Sequence, residues 1–183
     1  SQFMRKNAEK LNVDCKINDE IVQEFQALGL PYYSVPESLG GVLTNKATVT
    51  QMIIAEELAY GDLGMAVALL APTSALNAIT QFGTAEQQEQ YTPAFLDEAK
   101  PLSAVIAVNE PSATRAVKKG SNYSINGIKA SVPLVNSSEL FLVAADVEGQ
   151  GPAIFIVESS QAGVSVESQN AMGLRPAALG NIT

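Results

Sequence analysis

Acid–base and nucleophilic chemistry near neutral pH most often starts from histidine, and this chain of 183 residues contains none. Ser-His-Asp and Cys-His arrangements are therefore impossible within it, and zinc sites built on histidine and cysteine are excluded too. Its one cysteine, Cys15, cannot close an intramolecular disulfide. That usage fits a reducing compartment, with the cytoplasm the simplest choice. No GxGxxG or GxxxxGK(S/T) loop occurs, so neither a Rossmann nor a P-loop nucleotide site is expected. The chemistry must come from the 19 Asp and Glu side chains, from hydroxyls, from backbone groups or from a borrowed cofactor.

Among the carboxylates, Glu110 stands out by position. Ser103 to Val108 reads as an apolar strand, and the chain then meets Asn109, Glu110 and Pro111 in succession. A carboxylate there could act as a base. It also suits a plainer task, fixing a local turn while Pro111, which has no N–H, ends the ladder. The second reading is preferred, and no catalytic residue is assigned in this chain. A small polar stretch, Ser112 to Arg115, follows abruptly.

The elements that must hold this strand end fall into two groups. Up to about residue 100 the pattern is helical. Asn18 can cap a helix that begins with Asp19 and Glu20, acidic residues suited to a helix N-terminus. Gly29 sits where a helix-ending glycine belongs, and Pro31 forbids continuation. Pro36 and Gly40-Gly41 mark a loop. A second helix is expected from about Lys46 to Tyr60, with Val49, Met52, Ile53 and Leu58 as its apolar stripe. The stretch from Leu63 to Gly83 reads as one or two helices of low polarity, which must be buried among others, with Pro72 as a kink or a second start. Thr84 and Gln87 match a capping box.

After Pro101 the segments become short and β-branched. Asn126-Gly127 predicts a tight hairpin, Leu140 to Ala145 and Ala153 to Val157 predict buried strands, and Val164 to Glu167 a further strand. Helices first and strands second imply an α+β chain, as segregated parts or as two domains meeting near Pro101.

Composition narrows the partners. Hydrophobic residues are 46% and charged ones 16%, which fits a well-buried chain and not a disordered one. A net charge of −8 argues against nucleic acid, whose phosphates need lysine and arginine. The longest strongly apolar run, Met65 to Ala71, is too short to cross a bilayer, so no membrane span is expected. The first residues, SQFMRKNAEKLN, show no secretory h-region.

Several stretches line up in a fixed order: LGLPYYSVPESLGG, AEELAYGD, FGTAEQQEQYTPAFLDE, AVNEP, GSNYSINGIKA, LFLVAAD and MGLRPA. Together, from about Leu28 to Pro176, they resemble the acyl-CoA dehydrogenase family. That family carries a vPexxGG loop, an EELA helix, an FGTeEQ segment, a TEPxaGSD strand end, a YxLNGxK hairpin and a GxR-type segment. The resemblance implies an all-helical N-terminal domain (1–100) followed by a middle antiparallel β-barrel or sandwich domain (101–183), incomplete at its C-terminal end. It implies a C-terminal helical bundle beyond Thr183, where the catalytic carboxylate is expected, so that the chain alone would be inactive.

The resemblance also implies FAD as cofactor and α,β-dehydrogenation of an acyl-CoA thioester, as in fatty acid metabolism. A carboxylate removes the α proton, and a hydride leaves the β carbon for the flavin, whose chemistry the protein only positions. Electron-transfer flavoprotein is the implied redox partner, and the full-length protein is expected to form homo-oligomers. The implied flavin contacts are Ile106, Val108 and Asn109 at the strand end, with Ser131 and Pro133 after the hairpin. Asn109 replaces the family's Thr but keeps a backbone donor and offers an amide. Ser131 and Pro133 replace a stacking Trp and a hydrogen-bonding Thr. The TEPxaGSD pattern breaks after Pro111, as if a loop were missing between Ser112 and Thr114. Lys129 matches the family pattern and by itself reads as a solvated hairpin lysine. Two alternatives stay open: a degenerate, non-catalytic homologue serving as a partner subunit, and a related flavin oxidase or monooxygenase.

Overall fold

The computed structural model describes residues 2–42 and 48–183. Its helices follow the local signals closely. α1 spans Gln2–Asp14 and α2 spans Asp19–Ala27. The Asn18 side chain accepts from the Ile21 N–H at 3.1 Å, and Gly29 takes a left-handed φ of 68° after the last turn. Short 3₁₀ turns follow at Leu30–Ser34 and Glu37–Leu39. α3 is Thr48–Gly61, α4 is Leu63–Phe82 and α5 is Ala85–Phe95. The expected start of α3 at Lys46 lies outside the described residues. Both bonds of the capping box form at α5: Gln87 N–H to the Thr84 hydroxyl, and Thr84 N–H to the Gln87 side chain.

α4 is the spine. It runs unbroken through Pro72, so the expected second start does not occur. Met65 and Leu69 pack with α1 and α2, Ala68 with the β residues Val105 and Phe141, and Leu76 and Ile79 with Phe95 and Leu142. By length and composition alone α4 could cross a membrane. Its buried flanks against helices and strands make it the core helix of a folded chain instead.

α3 departs from its expected stripe. Val49, Met52 and Ile53 are 70%, 66% and 55% exposed, and only Leu58 of the four is drawn toward the core. Apolar residues lie nearly all round α3, so periodicity cannot say which face turns inward. Its C-terminal end is tied to α1 by Arg5, whose guanidinium donates twice to the Tyr60 carbonyl and stacks over the Tyr60 ring.

Two sheets follow. The larger holds β1 (Ala104–Ala107), β2 (Arg115–Lys119), β3 (Asn122–Asn126), β5 (Leu140–Val147) and β6 (Gly151–Glu158). The smaller holds β4 (Lys129–Val132), β7 (Val166–Ser168) and β8 (Gly180–Ile182). They pack as a sandwich over a core of Val105, Ala107, Val132, Leu134, Phe141 and Ile182. The expected antiparallel order holds for the small sheet, whereas the larger sheet is mixed. β1 and β2 both run parallel to β5, because the chain between β1 and β5 is long enough to cross over.

Asn126-Gly127 is not a hairpin turn. The hairpin is one step earlier, at Gly120-Ser121 between β2 and β3, where Gly120 supplies the positive φ of 65°. At Gly127 the chain leaves one sheet for the other. A Cβ there would sit 2.5 Å from the Thr114 Oγ1, so the glycine serves close packing and not turn geometry. The run Ala153 to Val157 is also less buried than expected. Among the described residues β6 pairs only with β5, and its Ile154 faces out.

Candidate functional site

β1 and β2 follow each other along the same edge of β5. Between Ala107 and Arg115 the chain advances eight positions while β5 advances three, from Val143 to Asp146. The surplus makes a compact excursion over residues 108–114, which contains the strand end singled out above. It closes when the Asp146 N–H donates to the Thr114 carbonyl at 2.9 Å.

Glu110 organises this excursion. Its carboxylate accepts the Thr114 N–H at 3.1 Å and pairs with the Lys129 ammonium. Those contacts, Lys129 first and Thr114 after it, hold the carboxyl well below its usual range, at about 2. A group so thoroughly ionised is a poor proton acceptor. The turn-fixing role expected for Glu110 is what its bonds show.

Lys129 corrects the expectation of a solvated lysine. Its side chain is 3% exposed, against 34% for Glu110. A buried ammonium needs partners. Lys129 has the Glu110 carboxylate and, at 3.5 Å, the Val108 carbonyl. The pair joins β4 of the small sheet to the end of β1 in the large one. Two more bonds cross the same gap. The Ala130 N–H donates to the Asn109 carbonyl at 2.9 Å, and the Asn109 side-chain amide donates to the Ala130 carbonyl at 3.3 Å.

The five expected contact residues form two arms on either side of this clasp. On the first arm, Ile106 is half-buried, pairs with Leu142 and packs against the core cluster that holds it, while Val108 and Asn109 are exposed. On the second, Ser131 is exposed at a left-handed φ of 54°, where the β4–β8 register slips. Such a bulge re-aims a side chain. The Ser131 hydroxyl donates to the Gln169 side chain at 3.3 Å. Pro133 is half-buried in the turn that follows. Asn109 and the Ala130–Ser131 backbone are thus brought together, while Ile106 belongs as much to the core as to the site.

The donor set suits a flat, partly polar ring on the first arm, where apolar Val108 adjoins the Asn109 amide. It does not on the second. Serine cannot stack, and proline has neither hydroxyl nor N–H. Lys129 is the residue that sequence reasoning missed. The signal that could have found it was a lysine two residues after the Asn-Gly pair, in a chain with a carboxylate at a strand end. A cavity of about 480 Å³ opens elsewhere, between α2, α4 and the start of β1, and none of the five residues lines it.

Comparison with known proteins gives these relations. The family model "Acyl-CoA dehydrogenase, N-terminal domain" matches residues 1–99. A probable medium-chain specific acyl-CoA dehydrogenase 2, mitochondrial, of Caenorhabditis briggsae is 30% identical over 174 residues, covering 87% of this chain and 42% of the relative. Cyclohex-1-ene-1-carbonyl-CoA dehydrogenase of Geobacter metallireducens is 31% identical over 164 residues, 82% of this chain and 42% of the relative. The chain therefore spans less than half the length of these curated relatives. Among solved structures, a glutaryl-CoA dehydrogenase from Mycobacterium smegmatis in complex with FADH2 superposes with a TM-score of 0.86 at 22% identity. It covers 98% of this chain and 47% of its own. Butyryl-CoA dehydrogenase from Megasphaera elsdenii gives 0.84 at 23% identity, covering 100% and 51%. Likeness at these identities establishes the fold.

Proposed function

The chain belongs to the acyl-CoA dehydrogenase family, and from that premise we propose that it forms the helical and β parts of an FAD-dependent oxidoreductase acting on an acyl-CoA thioester. The observation that carries the reading is the end of β1. There Val108 and Asn109 are presented at the surface by an excursion that Glu110 and Lys129 hold in place. When bound, FAD would accept the hydride from the thioester's β carbon. This chain's own task is to bind and orient. Val108 and Asn109 would flank the ring, Ile106 would back it from the core, and Ser131 and Pro133 would meet it only weakly.

No residue here is proposed as the base. Glu110 is held ionised by Lys129, and the family pattern implies that the carboxylate taking the α proton would come from polypeptide outside these residues. The 183 residues alone would then not turn over a thioester. Further polypeptide, from the same chain or a second copy in a homo-oligomer, would cover the exposed stripe of α3. An electron-transfer flavoprotein would reoxidise the enzyme. A reducing compartment such as the cytoplasm remains our reading of the single cysteine, although a relative is named as mitochondrial.

The test is to purify the full-length protein, measure its flavin, and assay acyl-CoA oxidation with an artificial electron acceptor. A yellow protein that turns over the thioester is expected. A colourless protein that cannot be reconstituted with FAD would sink the reading. Oxygen consumption without need of an acceptor would move it to a flavin oxidase or monooxygenase. One observation favours a second reading, a non-catalytic partner subunit: Ser131 and Pro133 withhold two contacts that a flavin would use, and the Ser131 hydroxyl is engaged by Gln169. Thioester turnover by the isolated full-length protein would exclude it.

A further inference from the structure

The β1 end and the β4 start belong to different sheets, and nothing in strand pairing fixes the gap between them. Four bonds do. Two are backbone and amide bonds between Asn109 and Ala130. Two come from a single side chain, Lys129, which reaches the Val108 carbonyl and the Glu110 carboxylate from a buried position. Val108 and Asn109 lie on one proposed arm of the cofactor site and Ser131 on the other. The ammonium therefore sits behind the surface that the ring would meet, touching the backbone of a contact residue without being exposed itself.

We propose that Lys129 and Glu110 are positioning residues, whose ion pair sets the distance and orientation of the Val108–Asn109 arm, which would flank the cofactor, against the Ala130–Ser131 backbone; this rests on the flavin-binding reading above. The physical reason is directional. Glu110 is also fastened to Thr114 at the far end of the excursion, so the pair anchors the excursion at both ends. Lys129 leads straight into Ala130 and Ser131, so any shift of its stem moves the second arm. An apolar side chain at 129 could fill the buried space but could not hold the Val108 carbonyl at a fixed place.

The two partners also differ in a way that separates positioning from mere stability. Lys129 is sealed from water and Glu110 is not. Glu110→Gln strands a buried ammonium, whereas Lys129→Met leaves a carboxylate that water can reach. Glu110→Gln should therefore lower the melting temperature more than Lys129→Met. The double variant, with no charge left, should recover most of that loss.

The experiment is run on the full-length protein with these three variants, reading melting temperature, FAD dissociation constant and flavin absorption band together. Expected is about tenfold or greater weakening of FAD binding in Lys129→Met and in the double variant, with a shifted flavin band, although both keep a near-parental melting temperature. If FAD affinity instead follows the melting temperature and returns in the double variant, the pair is only structural and the proposal is overturned. Hydrogen exchange of the Ala130 amide in the apoprotein provides a separate readout. It should speed up about tenfold in Lys129→Met if the arms come loose. Should the parent itself hold no FAD, the function reading fails and exchange alone decides. Faster exchange at Ala130 sustains the clasp, and unchanged exchange removes it.

Discussion

α3 and α4 are consecutive helices, both rich in apolar residues, with opposite fates. α4 buries nine residues, among them Met65, Leu69, Leu76 and Ile79, and touches three separate clusters of the core. α3 buries none among its described side chains. It is held against α4 along half-buried Ile54, Ala55 and Leu58, and by the grip of Arg5 on Tyr60. Apolar composition thus says that a helix wants cover. It does not say where the cover comes from.

The sharpest way to break that contrast is to truncate one residue on each helix. Leu76 is 1% exposed, packed among Phe95, Leu140 and Leu142 where helices meet the large sheet. Leu76→Ala should cost about 2–5 kcal/mol, from lost transfer energy and the cavity left behind. Ile53→Ala on α3 should stay within about 0.5 kcal/mol in this chain. Denaturant midpoints at constant slope would show both. Comparable losses at the two sites would mean that α3 is buried after all.

Gly64 tests how closely α4 is packed rather than how apolar it is. A Cβ there would lie 2.7 Å from the Cδ of Pro176, a ring that cannot swing away. Gly64→Ala should destabilise by about 1–3 kcal/mol despite the better helix propensity of alanine. A stabilised variant would show that the segment around Arg175–Ala177 gives way freely. The cap of α4 comes next in size. The Asp62 carboxylate accepts the Met65 N–H at 2.8 Å, so Asp62→Ala should cost about 1 kcal/mol and Asp62→Asn much less. Equal losses for the two variants would assign the effect to charge and not to the bond.

The same contrast explains how much was legible in the sequence. Signals closed within a few residues were read correctly: Asn18 to Ile21, Thr84 to Gln87, and the apolar run that became the central strand β5. Each needs no knowledge of the rest of the fold. What failed depended on a distant partner. Lys129 is buried because Glu110, nineteen positions earlier and just past a strand of the other sheet, reaches it. Gly127 looked like a turn residue because Asn-Gly usually is one, yet its neighbour Thr114 decides its role. The strand end at Asn109 could be located, while the bulge at Ser131 that re-aims the second arm could not, since it arises from a register slip against β8.

The smallest effect sharpens the comparison most. Met52 is two-thirds exposed on α3, and Met52→Lys should change the stability of this chain by no more than about 0.5 kcal/mol. In the full-length protein, where we propose that other helices lie on this stripe, the same change would bury a charge without a partner and should cost more than about 1 kcal/mol. It should also weaken the oligomer if the cover comes from a second copy, which sedimentation would reveal. A lysine tolerated equally in both would mean that the stripe is free surface, and α3 would then differ from α4 in kind rather than in what happens to lie against it.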